Sequence, residues 1–137
     1  MLTCTRLIQW DMGHRVLGHE GKCNRLHGHR YVAEVTCRGE LDSLGRVIDF
    51  GVIKEMIGGY IDGNWDHRTM LFASDPLIGM IDDDESVVPS LTNPTAENIA
   101  ATILKMQHLL DGSGVEIVKV RVWETPNCYA EATNASQ

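Results

Sequence analysis

The stretch Cys23–Arg38, CNRLHGHRYVAEVTCR, decides how the rest of the chain is interpreted. Between positions 31 and 37 every second residue is apolar or a cysteine, an alternation that predicts a β-strand with one buried side. His27 and His29 precede this run, and extended backbone places residues i and i+2 on the same side, about 6.6–6.8 Å apart. Gly28 lies between them and offers no side chain to obstruct a ligand. The stretch therefore predicts a strand that presents two imidazoles to one point.

A third histidine, His14, lies in the segment WDMGHRV at residues 10–16. If the first strand pairs antiparallel with the strand that follows His29, the connection between them brings position 14 close to position 28. Three neutral imidazole nitrogens suit Zn²⁺, with bonds of about 2.0–2.1 Å. His19, in the glycine-flanked stretch LGHEGK, is the rival ligand, and we favour a solvated loop position for it.

Cys23, four residues before His27, is open to three interpretations. It could be the fourth ligand of a structural Cys-His₃ zinc site. It could instead be a thiolate base beside the metal, its pKa lowered by the ion and by Lys22 or Arg25. The third interpretation, an inert buried thiol, suits the other three cysteines of the chain better, because they lie in or beside predicted strands.

Two further groups are candidates for chemistry. Asp66 and His67 are adjacent in NWDHRTM, and a carboxylate beside an imidazole can fix its tautomer and form a proton relay. Glu124 ends the run VEIVKVRVWE, where a carboxylate can accept a pair of N–H donors, although an ordinary surface glutamate has the same pattern.

The remaining pattern predicts an α+β fold in which a small antiparallel sheet carries two helices on one face. The second helix begins near Asn93, which either caps it itself or leaves that role to Thr95 with Glu97 in the first turn. The exposed edges of so small a sheet favour a homo-oligomer. The predicted elements, in chain order, are a strand over 2–10, a strand over 29–38, a helix over 50–61, a loop over 65–91, a helix over 93–110, a strand over 115–124 and a short strand over 128–132.

Length and charge bound the class of protein. The 137 residues predict one domain, 1–137, and no apolar run is long enough to cross a bilayer. The formal net charge of -7, with only 12 Lys and Arg, argues against nucleic acid as a partner. No secretory signal pattern opens the sequence, so we expect a cytoplasmic protein with free thiols rather than disulfides.

Six stretches, in the family's order, resemble motifs of the 6-pyruvoyltetrahydropterin synthase and 6-carboxytetrahydropterin synthase family. The most specific is CNRLHGH, which matches the family pattern C-x-x-x-H-G-H; the others, WDMGHRV, VIDFGVIK with WDHRTML, NPTAENIA and VWET, extend the resemblance over nearly the whole chain. The resemblance implies the tunnelling fold, in which subunits join their sheets into a barrel as trimers or hexamers with active sites between subunits.

The resemblance also implies roles for individual residues. Zinc would be bound by His14, His27 and His29, and Cys23 would accept a proton. Asp66 and His67 would form the relay, and Glu124 would anchor the pterin, with Thr95 and Glu97 near the shared site. The implied substrate is 7,8-dihydroneopterin triphosphate.

The ending ETPNCYAEA looks closer to the 6-carboxy branch, which releases acetaldehyde as well as triphosphate and serves 7-deazaguanine and queuosine synthesis. Two alternatives stay open. One is the pyruvoyl type of synthase, and the other is a non-catalytic module that zinc stabilises and that Cys23 completes as a ligand.

Overall fold

A computed structural model describes residues 1–134 and shows a six-stranded sheet with its helices against one face. Its order is β4-β3-β1-β2-β5-β6. The strands are β1 (Thr3–His14), β2 (His27–Arg38), β3 (Arg68–Phe72), β4 (Val87–Ser90), β5 (Glu116–Thr125) and β6 (Cys128–Thr133).

Two helical segments cover the sheet. The first is continuous and contains α1 (Phe50–Ile53), a π-helical turn (Lys54–Gly58) and α2 (Gly59–Asn64). The second contains α3 (Ala96–Leu104) and a 3₁₀ extension (Lys105–Leu110). Short 3₁₀ turns lie in the loops at Lys22–Asn24, Pro76–Met80 and Asp84–Ser86. No helix among the described residues has the length and apolar character needed to span a membrane.

The predicted apolar stripes of both helices form the core. Ile53, Ile57 and Ile61 of the first segment are fully buried, whereas Phe50, predicted for the same stripe, is 53% exposed. The predicted stripe of the second segment is buried throughout: Ile99, Ile103, Met106 and Leu110. Asp49 caps the first helix by accepting a hydrogen bond from Gly51 N–H, and Thr95, not Asn93, caps the second by accepting one from Asn98 N–H.

The antiparallel part of the sheet is confirmed. β2 pairs antiparallel with β1 and with β5, and β5 pairs antiparallel with β6. A β-bulge opposite Thr36 and Cys37 shifts the register, which lets Ile117 and Val118 both be buried in a strand that otherwise alternates.

The prediction of a loop over 65–91 is wrong in part. This segment contains β3 and β4, which extend the sheet with parallel pairs beyond the open edge of β1. The two strands are short and β4 contains Pro89, so periodicity gave little signal for them. The predicted sheet was purely antiparallel, and the observed one is mixed.

Candidate metal centre

Three histidines meet where β1 ends and β2 begins. β1 continues to His14, past the predicted end at Trp10, and His14 lies opposite His27 in the β1–β2 register. His29 follows two residues later on the same side of β2, and this is the side that faces the helices. The ring centroids are 4.6, 5.1 and 4.9 Å apart, and one ligand nitrogen from each ring lies within 4.8 Å of the others.

Hydrogen bonds to backbone carbonyls fix two of the ring tautomers. His14 Nδ1 lies 2.6 Å from Pro94 O, and His27 Nδ1 lies 2.6 Å from Arg25 O. A carbonyl oxygen only accepts, so both Nδ1 atoms carry the proton and both Nε2 atoms present a lone pair. These two Nε2 atoms are 3.2 Å apart, and two acceptors at that distance are stabilised by a cation between them rather than by a hydrogen bond to each other.

His29 completes the group. Its Nε2 is buried and has no hydrogen-bond partner among the described residues, which is costly unless a ligand satisfies it. Burial is the main cause that lowers the pKa of His14 and of His29, so both stay neutral and able to coordinate. The donor set therefore fits a metal ion that prefers imidazole nitrogen, such as zinc.

The Glu124 carboxylate lies beside this cluster of three histidines. Its Oε1 is 3.6 Å from His14 Nε2 and its Oε2 is 4.0 Å from His29 Nε2, with a quarter of the side chain exposed. The position is the strand end that the sequence indicated, and it places one carboxylate edge toward the histidines with part of the group still open to a ligand.

Two aromatic rings below the cluster were not singled out by sequence reasoning. Tyr31 is fully buried, packs edge-on to His14 at 5.9 Å and His29 at 5.6 Å, and stacks on Trp10 at 5.2 Å. Their heteroatoms, Tyr31 OH and Trp10 Nε1, are buried without a hydrogen-bond partner in the described part of the chain. Burial raises the pKa of Tyr31 well above its ordinary value, so the Tyr31 phenol remains neutral.

Cys23 lies in the loop of residues 15–26 that joins β1 to β2. It occupies the 3₁₀ turn Lys22–Asn24 and is half-buried. The ligand atoms that converge belong to the three histidines, and the Cys23 sulfur is not among them. His19 is likewise outside that group, and its Nδ1 accepts a hydrogen bond from Gly21 N–H at 2.8 Å.

Asp66 and His67 belong to a different group. His67 Nδ1 lies 2.9 Å from Asp66 Oδ2, and Asp66 Oδ1 accepts a hydrogen bond of 3.0 Å from Asp11 N–H. Asp11, which precedes Met12 on β1, points to the face opposite the helices, where its carboxylate meets Arg30 at 3.1 Å. A cleft of about 430 Å³ is lined by Asp11, Arg30 and His67 and extends to His29.

His67 itself is held in an unusual backbone conformation. Its φ of 61° is the one positive value for a non-glycine residue in the described chain, and its N–H donates to Asp11 O at 2.7 Å. The side chain is 75% exposed. The backbone thus turns His67 outward while Asp66 holds the ring.

The segment that opens α3 supports the histidine cluster from behind. Pro94 is buried, and its carbonyl orients the His14 ring. The Thr95 hydroxyl caps the helix by accepting a hydrogen bond from Asn98 N–H. Glu97 is exposed in the first turn. A backbone carbonyl has no sequence signature, so the role of Pro94 could not be read from residue types.

Arg15 pairs with the buried Asp75. Its Nε and one terminal nitrogen reach the two carboxylate oxygens at 2.7 and 2.5 Å, a bidentate arrangement. The Arg15 guanidinium is the largest cause that lowers the pKa of Asp75. The structure commits Arg15 to this ion pair, and the role of Asp75 was not predicted.

The comparisons with known proteins agree over the whole described fold. Residues 3–135 match the family model described as 6-pyruvoyl tetrahydropterin synthase. The chain is 41% identical to the 6-carboxy-5,6,7,8-tetrahydropterin synthase of Rickettsia bellii, an alignment that covers 96% of this chain and 99% of the relative. It is 31% identical to the protein of the same name from Haemophilus influenzae, covering 96% and 98% of the two chains.

Solved structures show the same fold. A Wolinella succinogenes protein superposes with a TM-score of 0.87 at 24% identity, covering 97% of this chain and 98% of that one. The 6-pyruvoyl tetrahydropterin synthase of Caenorhabditis elegans superposes with a TM-score of 0.72 at 26% identity, covering 98% and 96%.

Proposed function

Because the chain belongs to the 6-pyruvoyl tetrahydropterin synthase family, we propose that it is a zinc-dependent 6-carboxytetrahydropterin synthase. The reaction converts 7,8-dihydroneopterin triphosphate and one water to 6-carboxytetrahydropterin, triphosphate and acetaldehyde, on the route to 7-deazaguanine and queuosine. The observation that carries the metal part is the convergence of three imidazole nitrogens, two of them fixed as acceptors by backbone carbonyls.

His14, His27 and His29 hold the zinc ion in this proposal. When bound, the ion supplies Lewis-acid chemistry, drawing electrons from the side-chain oxygens of the substrate and making the adjoining C–H and O–H groups more acidic. The chain then supplies the groups that bind, orient and move protons. Burial lowers the pKa of His14 and of His29 and so favours their neutral, coordinating form, which supports this assignment.

Cys23 is the proton acceptor, acting as a thiolate general base. The alternative, a structural module in which Cys23 closes the zinc coordination, is less well supported because its sulfur is not among the converging ligand atoms. Glu124 anchors the pterin by accepting hydrogen bonds from its amino and ring N–H groups. Its partial exposure next to the histidines supports this role.

Asp66 and His67 act as the relay that exchanges protons with the reacting side chain. The Asp11 side chain beside this pair is on the sheet face opposite the helices and His67 is mostly exposed, which supports a site completed by two copies of the chain. Thr95 and Glu97 lie close to the shared site in this assembly. β4 and β6 are the two sheet edges, and joining such edges between copies gives the barrel of a trimer or hexamer. The enzyme acts in the cytoplasm on a small-molecule substrate, with neither nucleic acid nor membrane as a partner.

Product analysis tests the reaction. The purified chain is incubated with 7,8-dihydroneopterin triphosphate, and the products are identified by mass spectrometry with a separate assay for acetaldehyde. We expect triphosphate and acetaldehyde in equal amounts. Triphosphate with a pyruvoyl product and no acetaldehyde would identify the pyruvoyl type instead, and no conversion would refute both.

Replacing Cys23 by Ala tests the catalytic role against the structural one. We expect the zinc content and the oligomer size to stay at wild-type values while turnover falls by a factor of about 10² or more. Zinc is measured by elemental analysis of the purified protein. Loss of zinc in Cys23→Ala would favour the structural module.

A further inference from the structure

The loop of residues 15–26, which carries Cys23, is held by the side chain of Asn93. Asn93 Oδ1 accepts a hydrogen bond from Leu17 N–H at 3.0 Å, and its Nδ2 donates to Leu17 O at 3.1 Å. A carboxamide presents an acceptor and a donor side by side, so one side chain satisfies both backbone groups of a single residue. The contact spans a large distance in sequence and therefore fixes the loop to the start of the second helix.

This anchor is connected directly to Cys23. Val16, the neighbour of Leu17, donates its N–H to Cys23 O at 2.9 Å. Asn24 Oδ1 accepts a longer hydrogen bond from Gly18 N–H at 3.3 Å. The half of the loop gripped by Asn93 is thus bonded to the turn that contains the thiol.

The same segment also holds a metal ligand. Asn93 O accepts a hydrogen bond from Asn98 Nδ2 at 2.9 Å, which ties it to the first turn of α3. The next residue, Pro94, provides the carbonyl that orients His14. Two consecutive residues therefore fix a histidine of the cluster and the loop that carries Cys23.

We propose that Asn93 is a positioning residue that sets the distance between Cys23 and the three-histidine cluster. It touches neither substrate nor metal; it acts through the backbone of Leu17 and Val16. Its consequence for turnover rests on the proposed function, but its consequence for the exposure of Cys23 does not.

Asn93→Ala removes both hydrogen bonds, and Asn93→Asp keeps the acceptor while placing a carboxylate against Leu17 O. The probe is iodoacetamide at fixed pH on the full chain purified with zinc, and the rate at Cys23 is read by mass spectrometry of its peptide, separately from the other cysteines. We expect alkylation of Cys23 to become about tenfold faster in Asn93→Ala, because a loop that loses two hydrogen bonds opens more often. We expect kcat to fall by a similar factor, with KM within about twofold of wild type, because the pterin anchor is not altered.

Gln107 offers a matched control. Its carboxamide grips backbone in the same way, donating to Val115 O at 2.9 Å and accepting from Ile117 N–H at 2.6 Å, far from any proposed site residue. Gln107→Ala should lower the melting temperature while leaving the Cys23 alkylation rate at its wild-type value. This separates positioning from a general loss of stability.

The inference is overturned if both Asn93 variants alkylate at Cys23 within about twofold of Gln107→Ala. If Asn93→Ala does not fold, the milder Asn93→Asp carries the same comparison. A wild-type protein without synthase activity would refute the proposed function, yet faster alkylation in the Asn93 variants would still support the positioning role.

Discussion

The three-histidine cluster and the Asp66–His67 pair differ in how completely one chain builds them. The histidine nitrogens converge in a partly buried position, where the Pro94 carbonyl, from another segment, holds the His14 ring and the Arg25 carbonyl holds the His27 ring. His67 is three-quarters exposed, and the pair lies with Asp11, whose side chain is on the other face of the sheet. A single copy therefore builds the whole proposed metal site, whereas the proposed relay points outward, toward a position that a second copy can reach.

The strongest test of this comparison is complementation between Cys23→Ala and His67→Ala. Each variant alone should lose a factor of about 10²–10⁴ in kcat, since each removes a group that transfers protons. If thiol and relay come from different copies, co-expression of the two chains should restore activity at about a quarter of the sites, by random mixing in a symmetric oligomer. Activity per subunit of the co-purified oligomer is the measurement.

The control is Cys23→Ala co-expressed with the double variant, in which no site can contain both groups. A mixture no more active than this control would place the thiol and the relay of each site on one chain, and would remove the difference between the two regions.

The sequence predicted the histidine cluster because its signals are local. The spacing of His27 and His29 needs only a strand, and His14 needs only the adjacent hairpin partner, which the register confirms by placing it opposite His27. The buried stripes of both helices were predictable for the same reason, since periodicity reports which side of an element faces the core.

The remainder depends on contacts that residue types do not encode. β3 and β4 are short and become strands by pairing, β3 with β1 and β4 with β3, and the β1–β3 pair brings Asp66 beside Asp11. The carbonyl of Pro94, which accepts a hydrogen bond from His14, and the N–H of Leu17, which donates one to Asn93, are backbone groups. Residue types do not encode such contacts. The face on which Asp66 and His67 lie follows from this long-range pairing and could not be predicted.

A second prediction concerns whether Glu124 binds the pterin or the metal ion. Glu124→Gln keeps the shape but removes the charge that would accept the pterin N–H groups, so KM should rise by a factor of about 10–100 at unchanged zinc content. Steady-state kinetics and elemental analysis measure the two quantities. Glu131→Gln is a matched control, because this carboxylate on β6 pairs with Arg121 on β5 and has no proposed role in the site.

The opposite outcome for Glu124 would change the comparison. Loss of zinc with KM unaltered would make Glu124 a fourth ligand, so that the cluster would be closed within one chain rather than open to the substrate.

The smallest expected effect concerns the ion pair that links the two regions. Arg15 follows His14, and Asp75 follows β3, the strand that begins just after His67. Because Arg15 lowers the pKa of Asp75 below the reference value of 3.8, the folded state binds this proton less readily than the unfolded chain does. The stabilisation is therefore fully present above that value and is lost as the pH falls through the lower pKa of the folded state.

Asp75→Asn should reduce the free energy of unfolding by about 1–3 kcal/mol at pH 7, since it replaces a charged, bidentate partner by a neutral one. The difference from wild type should shrink as the pH falls below 3.8 and through the lower pKa of the folded state, where the wild-type carboxylate becomes protonated too. Urea unfolding of both proteins at equal concentration along this pH series measures the difference in free energy of unfolding. The titration of the histidines contributes equally to both proteins and cancels in the difference. A difference that stays constant with pH would show that packing, rather than charge, joins the end of β1 to the segment after β3.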